Sequence, residues 1–209
     1  MKKNIFFALA FVLSTISNAQ TTSESMSFGV KGGYTLSSMK FFNTQLDSKS
    51  YFYAGILAEQ PLSSKFGLQA EVLYTQLGGK ETYPGVQLVG NEIVNVGDMK
   101  FEYKLNQIQV PISLKYYLIP NLSASVGMNI GINISSKIKT DTIFNGEVTT
   151  NSEGSKTLNF FPFLGTEYKI NGKFFVDARY HFNFFETNKE NTVPTKIGFL
   201  QAGVGYRFK

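Results

Sequence analysis

Residues 122–135 alternate without a break. Leu122, Ala124, Val126, Met128, Ile130, Ile132 and Ile134 fall on even positions. Ser123, Ser125, Gly127, Asn129, Gly131, Asn133 and Ser135 fall on odd ones. Successive side chains of a strand point to opposite faces, so this segment is a strand with one apolar and one wet surface. A helix would scatter both sets around its circumference. A run of about 14 residues exceeds the roughly 5–6 usual in soluble sheets and the roughly 9–11 tilted residues that cross a bilayer. Two readings follow. Either the Ile and Val side chains pack a soluble core, or they meet lipid while Ser and Asn line a barrel.

Seven more segments alternate in the same way. Residues 27–36 set Phe28, Val30, Tyr34 and Leu36 against Gly29, Lys31, Gly33 and Thr35. Residues 51–60 set Phe52, Ala54, Ile56 and Ala58 against Gly55 and Glu59, and 66–77 set Leu68, Ala70, Val72 and Tyr74 against Gln69, Glu71 and Thr75. Residues 102–118 carry Ile108, Val110, Ile112, Leu114, Tyr116 and Leu118 opposite Gln107, Gln109, Ser113 and Lys115. Pro111 lies within this run, where proline normally marks an edge or bulge, but the alternation continues on both sides of it. Segments 158–170, 173–185 and 196–208 complete the set, the first two joined by Asn171-Gly172, a strong hairpin signal.

The connections separate the two readings. Between segments two and three, four and five, and six and seven lie about five, three and two residues; the other connections hold about 14, 24, 21 and 10. Short and long alternate, as they do when an up-and-down antiparallel barrel puts short periplasmic turns at one end and long outer loops at the other. A lipocalin-type soluble carrier can also have eight strands, but its interior is apolar and its exterior charged. Here the Ile, Val, Leu and Phe face is almost free of charge, and the ionic residues sit among Gly and Ser on the other. The expected fold is therefore all-β, an eight-stranded antiparallel up-and-down transmembrane β-barrel. Aromatic residues at both ends form two expected girdles, with Phe52, Tyr53, Tyr74, Tyr103, Phe182 and Phe184 on the outer side. Tyr116, Tyr168, Phe174, Tyr206 and Phe208 supply the periplasmic one.

The start of the chain fits export. Lys2 and Lys3, the apolar run from Ile5 to Leu13 and Ser17-Asn18-Ala19 before Gln20 have the layout of a cleaved signal peptide over residues 1–19, leaving a barrel domain over 20–209. No later window approaches 18 consecutive apolar residues, so a membrane location requires a closed barrel. The formal charge of +5 contains no Lys/Arg run that would suggest nucleic acid. With no Cys there is no disulfide framework and no thiol chemistry.

Several short motifs resemble those of a known family: Gly29-Val30-Lys31-Gly32-Gly33, Leu68 to Tyr74 followed by Gly78, Ile108 to Tyr116, and Gly203 to Phe208. They are similar to the small outer-membrane β-barrel proteins described as PorT-like or as the outer membrane protein beta-barrel domain. The likeness to OmpX- and OmpA-type barrels is looser. The resemblance implies a Gram-negative outer-membrane location. It also implies a C-terminal strand ending on an aromatic, here Phe208 followed by Lys209, that the barrel-assembly machinery reads.

The inward residues set expectations for function. Glu59, Glu71, Glu167 and Asp177 face inward with Lys115, Lys169, Arg179 and Arg207, so that four acids and four bases pair within a lumen just wide enough to be filled by side chains. This predicts a plugged polar lumen that includes the only histidine, His181, rather than a narrow porin-like channel. His181 and Asp177 lie four residues apart on one strand, roughly 13 Å, too far for a hydrogen bond. No nucleophile motif, metal-ligand spacing or cofactor motif accompanies them, so no enzyme activity is expected. The loops over 78–100 and 137–157 hold short apolar alternations and an Asn145-Gly146 turn that could form β-hairpins above the membrane. Such edges recruit partner strands. The expected role is that of a monomeric barrel in outer-membrane lipid, structural or binding a protein or glycan through its outer loops.

Overall fold

In the computed structural model, residues 25–41, 44–142, 146–152, 154–188 and 194–208 are described. The proposed leader lies outside them. The ten strands are β1 (Ser27–Phe41), β2 (Thr44–Gln45), β3 (Asp47–Pro61), β4 (Phe66–Val89), β5 (Glu92–Ile119), β6 (Leu122–Thr142), β7 (Gly146–Asn151), β8 (Leu158–Lys169), β9 (Phe174–His181) and β10 (Thr195–Arg207). β1, β3, β4, β5, β6, β8, β9 and β10 pair antiparallel in chain order. β10 returns to β1 from Gly29↔Arg207 to Phe41↔Thr195, so these eight strands close a barrel whose wall has no open edge. β2 and β7 are short additions to β1 and β6.

The alternation seen in the sequence becomes two faces of one wall. Phe28, Val30, Ile56, Val72, Leu114, Val126, Leu164 and Val204 are exposed on the outside. Lys31, Thr35, Glu71, Gln109, Asn129 and Gln201 are buried within. A soluble carrier would show the opposite arrangement. Pro111 is tolerated because the β4–β5 ladder skips from Ala70↔Ile112 to Leu73↔Gln109, so its missing N–H falls where no pair forms, while it still pairs with Asn129 on β6.

Above the membrane the strands run further than hydrophobic alternation reveals. β4 and β5 continue as a hairpin to Val89↔Glu92, and Thr82 to Met99 pair only within it. Both faces there meet water, so the backbone ladder persists while the period-2 apolar signal fades. Gly90, at φ 66, supplies the left-handed residue of the two-residue turn at the tip. β6 and β7 form the second expected hairpin, although Asn145 lies outside the described residues. At the other end the connections are short. The Asn171-Gly172 hairpin is present but is not a two-residue turn. Asn171 Oδ1 accepts from the N–H groups of Lys173 (2.9 Å) and Phe174 (2.7 Å), closing a four-residue loop.

Two aromatics of the expected outer girdle belong elsewhere. Tyr53 is buried in the lumen, and Tyr103 packs on an interior cluster. Both sit at inward positions of their strands, and an aromatic ring does not by itself report a face. Several of the others pair along the outer wall, as in Phe52 with Tyr34 (4.7 Å) and Phe174 with Tyr206 (5.0 Å).

Glycines on the inner face make room for large rings. A Cβ on Gly205 would run into the ring of Phe175, its direct partner on β9. Gly205→Val is expected to cost about 1–3 kcal/mol through overpacking, read as a lower urea midpoint of the reconstituted barrel.

Candidate functional site

The interior is built in layers, each assembled from several strands at one height. Nearest the short turns, Glu59 of β3, Lys115 of β5, Glu167 of β8 and Arg207 of β10 converge. Lys115 Nζ lies 2.8 Å from Glu59 and 2.9 Å from Glu167. Arg207 Nη2 donates to Glu59 at 2.6 Å and to both oxygens of Glu167 at 2.8 and 2.9 Å. Tyr117 donates to Glu59, Gln69 accepts from Lys115, and the Arg207 guanidinium lies 4.3 Å from the Phe175 ring centre. Two acids and two bases leave this layer neutral.

A second neutral quartet stands above it. Lys31 Nζ approaches Asp177 at 2.5 Å and Glu71 at 3.7 Å. Arg179 pairs with Glu71, and its Nε lies 3.2 Å from Asp177. The Tyr53 hydroxyl reaches Asp177 at 3.5 Å, and Gln69 joins the two layers by donating to Glu71. Buried charges persist only when paired and hydrogen-bonded, and every member of both quartets has an oppositely charged partner, while Glu71 Oε2, Arg179 Nη1 and Arg207 Nε are left without a hydrogen bond.

One expected member is replaced. Lys169 is only half-buried at the rim, with its ammonium 4.9 Å from the Tyr117 ring centre, and makes no ion pair among the described residues. Lys31 takes the fourth basic place. The reason is height: Lys169 ends β8, below the carboxylates, whereas Lys31 sits level with Asp177 around the closed wall. The lysine on β1 was visible as an inward residue, but only closure of β1 onto β10 brings it to β9.

Above the quartets lies an uncharged polar layer. Thr35 and Thr75 hydroxyls are 3.1 Å apart, and Gln201 Nε2 donates to Thr35 (3.2 Å) and Gln109 (3.3 Å). Gln201 therefore turns its oxygen to His181 Nε2 at 3.1 Å, which assigns the N–H to Nε2. The imidazole stacks on Phe199 with centroids 4.1 Å apart and lies 4.9 Å from Phe163. Asp177 takes its contacts from Lys31, Arg179 and Tyr53 instead. Every interior carboxylate is engaged by Lys or Arg. Among the described residues no group of three or more His, Cys, Asp or Glu is placed to hold a metal.

The outermost layer is apolar and was not anticipated. Met39, Leu46, Leu77, Leu105, Phe161, Ile197 and Phe199 form one buried cluster, with Phe41 and Tyr103 packed on it. Phe161 and Phe199 meet edge to face at 5.2 Å. Adjacent apolar pairs such as Phe160-Phe161 and Phe199-Leu200 carry the signal, because one member of each must point inward. Above the cluster the mouth forms a cup of about 240 Å³ whose lining includes Phe41, Tyr103, Ile138 and Ser155.

A closed eight-strand barrel with an apolar outside and an ionic inside is the architecture of the outer membrane. The outer membrane protein beta-barrel domain model matches residues 18–188. The chain belongs to that family. The family is one of outer-membrane proteins, and the outer membrane is where this barrel resides. The match does not single out a PorT-like branch. Among solved structures, Ail, the attachment invasion locus protein of Yersinia pestis, in complex with the heparin analogue sucrose octasulfate, is 18% identical. Its TM-score is 0.52, over 88% of this chain and 100% of that one. Neisserial surface protein A is 17% identical with a TM-score of 0.54, over 88% and 100% of the two chains. These likenesses concern the fold. No curated protein matches the chain in sequence.

Proposed function

We propose that this outer-membrane barrel is a non-enzymatic binding or accessory protein of the envelope. It works through its outer surface, with a lumen closed to solutes. The observation that carries this reading is the layered filling of the lumen. Two neutral ion quartets, a glutamine-threonine layer and an apolar cluster occupy successive heights, and side chains fill an eight-strand interior. In planar bilayers the folded protein is expected to show no steady conductance; a sustained single-channel current would overturn the closed-lumen reading.

Binding falls to the β4–β5 arm. It extends about 30 Å along the strands beyond Lys80 and exposes Val86, Leu88, Val89, Ile93 and Val94 near its tip. Exposed apolar side chains on a protruding hairpin suit a protein partner, by side-chain contact or strand addition. The complex of Ail with a heparin analogue supports a glycan as the other class of partner. Cells displaying this protein, with and without residues 82–99 replaced by a two-residue turn, would be compared for adhesion to heparin-coated and protein-coated surfaces. Loss of adhesion to the protein surface alone is expected, and equal adhesion by both forms would sink the role given to the arm. Assembly is proposed to use β10, which ends beside Phe208, an exposed ring at the membrane edge.

A further inference from the structure

The cup at the outer mouth is neither wholly apolar nor charged. Phe41 of β1 and Tyr103 of β5, both half-buried, form an aromatic corner in it, their rings edge to face with centroids 4.6 Å apart. Both rest on the apolar cluster beneath. The rest of the lining carries several small polar side chains. A bulge on β6 brings Ser136 there. Asn106 pairs with Ser135 and Gln107 with Asn133, so Ile134 is an extra residue and Ser136 stands opposite the buried Leu105. Ser155 enters from the segment after β7, and Thr187 from the segment between β9 and β10.

These hydroxyls are held in place but not saturated. Ser136 Oγ and Ser155 Oγ lie 2.9 Å apart, and Thr187 Oγ1 donates to the Thr195 carbonyl at 3.2 Å. A hydroxyl has one proton and two lone pairs, so each keeps acceptor capacity for a ligand O–H. Lys104 is the one charged residue of the lining among the described residues. An alkyl guest would strip water from the serines and return no hydrogen bond. A polyanion would meet a single ammonium. A sugar ring suits both parts of the lining, with a C–H face for an aromatic ring and hydroxyls for Ser and Thr. Size agrees: about 240 Å³ falls below the roughly 300–1,000 Å³ of sites for drug-sized ligands, which limits the guest to a single ring.

We propose that the cup binds one uncharged sugar residue at the end of a glycan chain. It takes an end because Phe161 and Phe199 belong to the cluster that closes the barrel below, so no chain threads through. This rests on the glycan half of the role proposed above and gives it a place. The arm assigned to a protein partner is separate, as none of residues 82–99 lines the cup.

The test uses the full-length folded protein in phosphatidylcholine nanodiscs, with methyl glycosides of glucose, galactose, mannose and N-acetylglucosamine as probes. In saturation-transfer NMR, irradiation of protein methyl groups is expected to mark the ring C–H protons of at least one glycoside, with Kd near about 1 mM. Y103A, which removes the platform, should weaken that binding about tenfold, and S136A/S155A, which removes only hydroxyls, about fivefold or more. Heat-sensitive gel mobility confirms that each variant is folded, and the serine variant decides the matter if Y103A assembles poorly. No transfer to any of the glycosides at about 10 mM overturns the proposal. So does binding that both variants leave unchanged. An equal signal from a sulfated heparin disaccharide would assign the cup to an anion, and one from octanoate that S136A/S155A leaves intact to an apolar guest; either overturns the sugar assignment. The protein with residues 82–99 replaced by a two-residue turn should keep the sugar signal, and the cup variants should keep adhesion to protein surfaces, so the two readings fail separately.

Discussion

Arg207→Ala is expected to be the most destabilising single change in the barrel, lowering unfolding free energy by about 3–5 kcal/mol. One nitrogen of Arg207 serves both Glu59 and Glu167, which are buried with it. Without the guanidinium, Lys115 alone faces two carboxylates in a site that water does not reach. The cost is that of an uncompensated buried charge, not of one lost contact. Charge balance therefore predicts a rescue. R207M/E167Q leaves Lys115 with Glu59 and should recover more than half of the loss. Urea titration of the three proteins in one lipid measures this, and a double variant no better than R207A would show that hydrogen-bond geometry, not neutrality, holds the layer.

Removal of the aromatic pair in the outer cluster comes second. Phe199→Ala is expected to cost about 3–5 kcal/mol, since it leaves a cavity against Phe161 and uncovers one face of His181. F161A/F199A should lose less than the sum of the single changes, because the two cavities merge and the rings share each other as partners. Conductance should stay absent even in the double variant, as the ion quartets beneath still fill the lumen. A current through F161A/F199A would make the apolar cluster the sole barrier and would demote the quartets to a framework role.

Much of this was readable from the chain. The charge-free Ile/Val face and the ionic opposite face settle which side meets lipid, because side-chain alternation is local and needs no knowledge of neighbours. Glu59, Glu71, Lys115, Glu167, Asp177, Arg179, His181 and Arg207 were placed inward on that basis, and all eight are buried. The connection lengths gave the up-and-down order for the same reason. The hairpins above the membrane were readable from the short alternations over 78–100 and 137–157, but their unbroken continuity with β4, β5 and β6 was not, since a strand wet on both faces has only a weak period-2 signal.

Tertiary closure decided what those inward residues do. A face assignment says that a lysine points to the lumen but not at what height it meets the opposite wall. Register across the β1–β10 seam lifts Lys31 to Asp177 and leaves Lys169 at the rim. The same stagger gathers Phe161, Ile197 and Phe199 from inward positions on separate strands into a plug that no single segment announces. Bulges add to this: one extra residue at Ile134 turns Lys137 outward and opposes it to Lys104. Sequence determines the sidedness of each strand because sidedness is a property of one backbone. Partnership within the lumen depends on the shear between eight of them, and only the closed barrel sets that.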